Sequence, residues 1–379
     1  DFWQKYPSSL EIMDLSREKA EIKLSFWGAE NKVMDLRHYD TETHAKACYE
    51  GFDELRSTPK GIANTGEFSI WALDHSPEHQ DLMKLAATKD KTQLLVCEPE
   101  YYQQTEVFVG WSLPDRSSPL KNMLEDLLES ATEFYQNEIE TRKWYGFWNY
   151  GDIMHSYDPI RHTWRYDMGG YAWQNTELVP NMWLWYTFLR TGQKDIFQLA
   201  ESMTRHTSEV DTYHLGRYSG LGSRHNVVHW GCGCKEARIS MAGLHRFYYF
   251  LTADERIGEI MDQVKDADYM TEKLNPMRNH IEDNQYPTYV RSGPDWTAFS
   301  SNWLVQWERY QNQSYYRKIL KGIKSLAEMP HGLCSGPAFG YQAESGELFH
   351  IGDENYSYHM IMPFGGLQIL INLLNLTQN

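Results

Sequence analysis

An internal repeat constrains this chain more than any single motif. The stretches WLWYTFLRTGQKDIFQLAESM, RFYYFLTADERIGEIMDQV and NWLVQWERYQNQSYYRKILKGI share one plan. Each reads as an aromatic-rich helix, a short polar turn and a second, amphipathic helix. Their turn centres Gly192, Ala253 and Asn312 lie 61 and 59 residues apart, a period that signals stacked helical hairpins. An open stack would be a solenoid. Long irregular segments follow the turns, at residues 207–235 and 271–294, and such loops in a compact domain are usually functional. Hairpins closed into an α/α toroid, with the loops gathered at one mouth, account for both features.

Residues 1 to about 75 read differently. Ile22, Leu24 and Phe26 alternate with polar neighbours, and Phe68, Ile70 and Ala72 repeat the pattern, as half-buried strands do. The expected organisation is therefore the end of a β-sandwich over 1–75 and a mainly α toroid over 76–379. Helical signals start near residue 79. Ser118-Pro119 reads as an N-cap followed by proline at the first helical position, and Leu120, Met123, Leu124, Leu127 and Leu128 then keep helical spacing.

The net charge of −16 argues against nucleic acid and anionic membranes as partners. It leaves room for an acidic small substrate wherever arginine and histidine cluster locally. No apolar run has transmembrane length. Aromatics make up 14% of the chain, with 14 Trp and 25 Tyr, a composition suited both to a large core and to sugar-binding faces. The five cysteines suggest no disulfide framework, and Cys232 and Cys234 stand too close for an ordinary zinc pair. The histidines show no recognised metal-ligand spacing such as H-E-x-x-H, so neither metal nor cofactor is expected. The opening at Asp1, without an initiator methionine, reads as a removed leader or a fragment.

Chemistry concentrates in two polar blocks. The first, Trp144 to Pro180, offers His155, Arg165, Tyr166, Tyr171, Asn175 and Glu177. The second, residues 205–238, carries His206, His214, His225 and His229 among Arg217, Arg224, Arg238, Lys235 and Glu236, broken by glycines that allow tight turns. Single histidines commonly satisfy backbone carbonyls in a core. Four within 24 residues point to a site.

At these blocks the sequence resembles a known family. GFWNYGDIMHSYDPIRHTWRYDMGGYAWQNTELVPNMWLWY and HLGRYSGLGSRHNVVHWGCGCKEARIS are similar to the exo-rhamnogalacturonan lyase and YetA-like proteins. MDLRHYD and YEGFDELRSTPKGIANTGEFSIW resemble that family's sandwich just ahead of its toroid. The resemblance implies a barrel-like N-terminal domain, a central β-sandwich and a C-terminal α/α toroid, of which this chain would lack the first and most of the second. It also implies a missing N-terminal part as partner, and cleavage of an acidic polysaccharide or oligosaccharide by β-elimination beside a uronic acid.

That reaction requires a group to hold the uronate carboxylate and stabilise the enolate-like intermediate, a base for the C5 proton and an acid for the departing O4. Arg224 suits the first task, because a guanidinium fork matches a carboxylate. His225 or His229 suits proton transfer, with Tyr166 as an alternative base. His155, Arg165, Tyr171, Asn175, His214, Arg217 and Trp230 are expected to contact substrate. The rival enzyme is a glycoside hydrolase, which needs two carboxyl groups across the bond, with Asp167, Glu177, Glu209 and Asp211 as candidates. A non-catalytic carbohydrate-binding toroid would explain the aromatics but not the Arg/His cluster. Lys235 and Glu236 are expected to pair with each other or with the adjoining helix.

Overall fold

A computed structural model describes residues 9–16, 19–25, 60–67, 69–90, 93–146, 148–165, 173–223, 234–282, 285–352 and 364–377. Strands β1 (Ser9–Ser16) and β2 (Lys19–Ser25) form an antiparallel ribbon in which Ile12 faces Ile22 across the register. Both isoleucines are exposed. The second strand pattern is not realised: the described residues 69–73 form no strand. Helix follows at α1 (His79–Asp90) and α2 (Pro99–Thr105).

Helix α3 (Pro119–Arg142) begins where its cap dictates. The Ser118 side chain accepts a hydrogen bond from the Lys121 amide at 3.3 Å, and Pro119 supplies a preset φ while lacking an amide that would be orphaned there. A short ribbon of β3 (Tyr157–Asp158) and β4 (Thr163–Trp164) follows.

The repeat then becomes visible as three helical hairpins. The first joins α4 (Pro180–Thr191) to α5 (Lys194–Arg205). Between it and the next lie the two-residue strands β5 (Gly222–Ser223) and β6 (Lys235–Glu236) and the single turn α6 (Ala237–Ser240). The second hairpin joins α7 (Arg246–Thr252) to α8 (Glu255–Gln263). After α9 (Met270–Lys273) and β7 (Thr288–Arg291), the third joins α10 (Ala298–Tyr310) to α11 (Gln313–Glu328).

All three turns use one device. Gly192, Ala253 and Gln311 adopt left-handed φ values of 64°, 56° and 54°. Each returns its amide to the carbonyl four residues back, at 2.7 Å in every case. A left-handed cap satisfies a carbonyl that the helix end would otherwise orphan. Asp254 and Asn312 then cap the second helices of their hairpins through their side chains. The first ten residues of α10 are all buried, whereas α11 is amphipathic. That division is expected of an inner helix backed by an outer one.

Polar bonds join neighbouring elements through the core. Trp185 donates its indole N–H to Thr204 at 3.0 Å, and Arg246 on α7 donates to Glu308 on α10 at 3.0 Å. Strands β8 (Ala338–Gln342) and β9 (Glu347–Phe349) complete a three-stranded sheet with β7. The last helix, α12 (Gly366–Thr377), closes the ring. Its Asn375 donates to the Glu106 carbonyl at 3.2 Å, joining positions 269 residues apart. An open superhelix would leave its two ends separated, so this contact identifies a toroid.

Candidate active site

Strands β5 and β6 pair Gly222 with Glu236 and Ser223 with Lys235, and so pin both ends of the segment 224–233. Gly222 permits this closeness: a Cβ there would stand 2.3 Å from Cβ of Ile239 on α6. At the foot of the stem the buried Lys235 ammonium lies 4.7 Å from the Tyr218 ring centroid and 5.7 Å from that of Tyr213. Aromatic faces stabilise a desolvated cation in this way. On the other side, a bridge between Met154 and Trp173, with Gln174 donating its amide to the Ile153 carbonyl at 2.7 Å, fixes the chain just after residues 166–172.

The two polar blocks meet directly. The Asn175 side-chain amide donates to the Ser223 carbonyl at 3.0 Å. Arg238 spans the same junction: it donates to the Asn175 carbonyl at 3.0 Å, and pairs with Glu177 at 3.1 Å and with Glu236 at 2.6 Å. Glu236 also meets Arg291 at 3.2 Å, and Arg291 grips Asp295 in a bidentate pair at 2.9 Å. The resulting row, Glu177–Arg238–Glu236–Arg291–Asp295, alternates in sign. Alternation is what makes such burial tolerable, since each ion loses hydration worth several kcal/mol (order of magnitude) and recovers it only through well-placed partners. Glu177, at 18% side-chain exposure, is the most open member of the row.

The backbone beside this row is strained. Asn175, Thr176, Leu178 and Val179 have φ between 52° and 60°. Asparagine tolerates that region, but β-branched threonine and valine do not do so readily. Such conformations persist where surrounding contacts over-determine them, commonly at functional sites.

A second buried cluster lies beneath the block that starts at residue 205. Helix α5 runs into a wide π turn over His206–Val210, a distortion frequent near functional sites. His206 donates from Nδ1 to the Tyr150 carbonyl at 3.1 Å, and its Nε2 stands 3.1 Å from Asp211 and 3.6 Å from Asp152. His245 meets the Thr207 hydroxyl at 3.1 Å. Complete burial pushes the His245 pKa down to about 3.

The expected contact residues fall into different settings. Asn175 is 2% exposed and works inside the wall. His214 is half-buried between Gln263, at 2.9 Å, and the Glu209 carbonyl, at 3.3 Å. Arg217 is exposed and lies over the Tyr218 ring. His155 meets the Ser156 hydroxyl at 2.9 Å, while Arg165 is exposed and its backbone amide donates to the Ser156 carbonyl. Arg224, His225, His229, Trp230, Tyr166 and Tyr171 lie outside the described residues, as does Asp167.

Two hydrolase candidates are occupied elsewhere: Glu209 receives two hydrogen bonds from Thr65, and Asp211 is fully buried beside His206. Glu236 pairs with Arg238 on the adjoining helix, whereas Lys235 turns to the two tyrosines. No sequence motif marks Arg291 and Asp295 as site residues. Their only signal was a pair of opposite charges around Ser292-Gly293-Pro294 amid apolar neighbours. Among the described residues no group of three or more His, Cys, Asp or Glu could hold a metal ion, and no described helix is long and apolar enough to cross a membrane.

Comparison with known proteins agrees with this architecture. Residues 92–379 match the family described as PcRGLX-like protein C-terminal alpha/alpha toroid domain, and residues 1–87 match the PcRGLX-like protein central beta sandwich domain. The chain is 54% identical over 376 residues to the uncharacterized protein YetA of Bacillus subtilis (strain 168). That alignment takes in 99% of this chain and 44% of the relative, so the chain spans less than half the relative's length. A toroid built from capped hairpins, matched over most of the chain, makes this protein a member of the PcRGLX-like family.

Proposed function

We propose that this protein is a polysaccharide lyase that cleaves a uronate-containing, rhamnogalacturonan-like glycan by β-elimination. The observation that carries the reading is the hydrogen bond from Asn175 to Ser223, reinforced by Arg238 across the same junction. It sets Asn175, three residues past the segment 166–172, beside Ser223, the residue that precedes Arg224, and in this reading Tyr166 and Arg224–His229 serve one sugar ring.

In this reading Arg224 holds the C6 carboxylate and stabilises the charge that spreads onto it once C5 loses its proton. His225 or His229 removes that proton and delivers one to the departing O4, with Tyr166 as the alternative base. His155, Arg165, Tyr171, His214, Arg217 and Trp230 contact substrate, and Asn175 holds the wall. The buried ion row supplies the paired, desolvated charges on which a preorganised site is built. The family's name, which refers to a rhamnogalacturonan lyase, points the same way.

The test is incubation of the full-length protein with uronate-containing polysaccharides while absorbance of unsaturated uronate is followed. Arg224→Ala, His225→Ala and His229→Ala are compared with Asp167→Asn and Glu177→Gln, each checked for folding. Loss of a proton-transfer group should slow turnover by about 10²–10⁴-fold. Dead carboxylate variants beside active loop variants, with product released but no unsaturated-uronate band, would replace the lyase by a hydrolase.

A further inference from the structure

A cleft of about 250 Å³ opens between the end of α3, residues 144–152 and the outer side of α5. Its exposed aromatic residues are Tyr145 and Tyr150, at 46% and 55% exposure. Their ring centroids are 6.1 Å apart and their planes are inclined by 38°. A flat apolar face with a polar edge suits the C–H face of a pyranose, and two inclined faces can cup one ring.

The remaining lining is mixed: Ile139, Trp144 and Leu199 give an apolar floor, and the buried Asp152 joins a polar rim. Gln136, Glu140, Asp195 and Gln198 line the cleft, with Gly151 and Ser202 at its base, and no lysine, arginine or histidine is among its lining residues. Tyr145 donates its hydroxyl to Glu140, which also meets Lys143 at 3.3 Å, so the Tyr145 ring is held in place. Partial burial and the Glu140 carboxylate push the Tyr145 phenol up to about 12, and it stays a donor near neutral pH. Gln136 donates to Oδ2 of Asp195 at 2.8 Å. Among the described residues, Oδ1 of Asp195 and the Gln198 amide have no hydrogen-bond partner. Tyr150 is fixed from behind, since His206 donates to its carbonyl at 3.1 Å. Gly151 allows the close approach beneath it: a Cβ there would lie 2.1 Å from the Ser202 carbonyl oxygen.

From this geometry we infer that the Tyr145–Tyr150 cleft, which adjoins the buried His206–Asp152 pair, is a binding subsite for a neutral saccharide unit. Carboxylate and amide acceptors suit sugar hydroxyls. The lack of any cationic lining residue disfavours a uronate, and the volume suits one monosaccharide, because drug-sized ligands occupy roughly 300–1,000 Å³.

Saturation-transfer NMR on the full chain tests this, with methyl galactoside, galacturonate and tetramethylammonium as probes. Methyl galactoside should bind the wild type and lose about five- to tenfold in affinity in Tyr145→Ala and Tyr150→Ala, the loss of one stacking face. Tyr145→Phe should retain binding, because it keeps the face. Gln198→Ala, at an exposed helical position, should weaken binding without touching the fold, which circular dichroism checks. Absent galactoside signals in the wild type would overturn the assignment. So would equal signals in wild type and both alanine variants, or displacement of the galactoside by tetramethylammonium, which would make the cleft a cation site. Binding is read without turnover, so the outcome is separate from the fate of the elimination chemistry.

Discussion

Glu209 receives two hydrogen bonds from Thr65, one from its amide to Oε2 and one from its hydroxyl to Oε1, both at 2.6 Å. Thr65 belongs to the sandwich-matched region and Glu209 to the toroid-matched region, so one carboxylate ties the two together where the second polar block begins. The contact is not isolated. Ala63 donates to the Glu209 carbonyl at 3.2 Å, and His214 donates its amide to the Gly61 carbonyl at 2.7 Å. Gly61 sits at φ 105°, and a Cβ there would lie 2.2 Å from the Leu215 carbonyl oxygen.

This latch should be measurable as a coupling. Hydrogen bonds to charged groups contribute about 1.5–3 kcal/mol each. Glu209→Ala and Thr65→Ala should each lower stability in urea denaturation, and the double variant should cost clearly less than the two single effects combined. Strict additivity would mean that the latch adds nothing to stability.

The Arg238 guanidinium holds the junction between the polar blocks. Arg238→Met leaves Glu177 and Glu236 without that cation and should destabilise the protein by about 3–5 kcal/mol. An unchanged denaturation midpoint would show that the ion row does not brace the site.

Leu178 offers a separate test of the strained segment. It holds φ 60° while 64% exposed, so it contributes little packing. Leu178→Gly should remove a left-handed penalty of roughly 1–2 kcal/mol, offset in part by the greater freedom of glycine in the unfolded chain. The expected result is a small rise in melting temperature. A fall would mean that the side chain makes a contact outweighing the strain.

His245 sets a pH dependence. Its pKa falls from 6.5 in the unfolded chain to about 3 in the fold, so between those values the unfolded chain binds the extra proton. Stability from this group is therefore complete above about pH 6.5. It is lost as pH falls towards 3, by about 1.4 kcal/mol per pH unit. Comparing wild type with His245→Gln across pH 4–7 should show a shallower acid slope in the variant. Parallel slopes would mean that His245 already titrates normally.

The hairpin repeat was legible in the sequence because its cause is local. Helical spacing of apolar residues, the Ser118-Pro119 start and a turn every 60 residues or so act over a few neighbours, and the left-handed caps at Gly192, Ala253 and Gln311 carry them out. The family was legible for a similar reason, since its motifs are long and contiguous. The ribbon at Lys19–Ser25 follows its alternation, but the same alternation around Ile70 yields no strand. Alternation marks the faces a strand would have without supplying the partner strand it needs. Ring closure through Asn375 and Glu106, and the link between Thr65 and Glu209, join residues far apart in the chain and leave no local pattern. The histidines show the limit most plainly. In sequence His206 and His214 stand equal to His225 and His229, but tertiary packing puts His206 between two aspartates and His214 between Gln263 and the Glu209 carbonyl. Composition can say that imidazoles gather in a segment. Only the folded chain decides which of them lose their water to protein partners, because burial depends on every element packed against them.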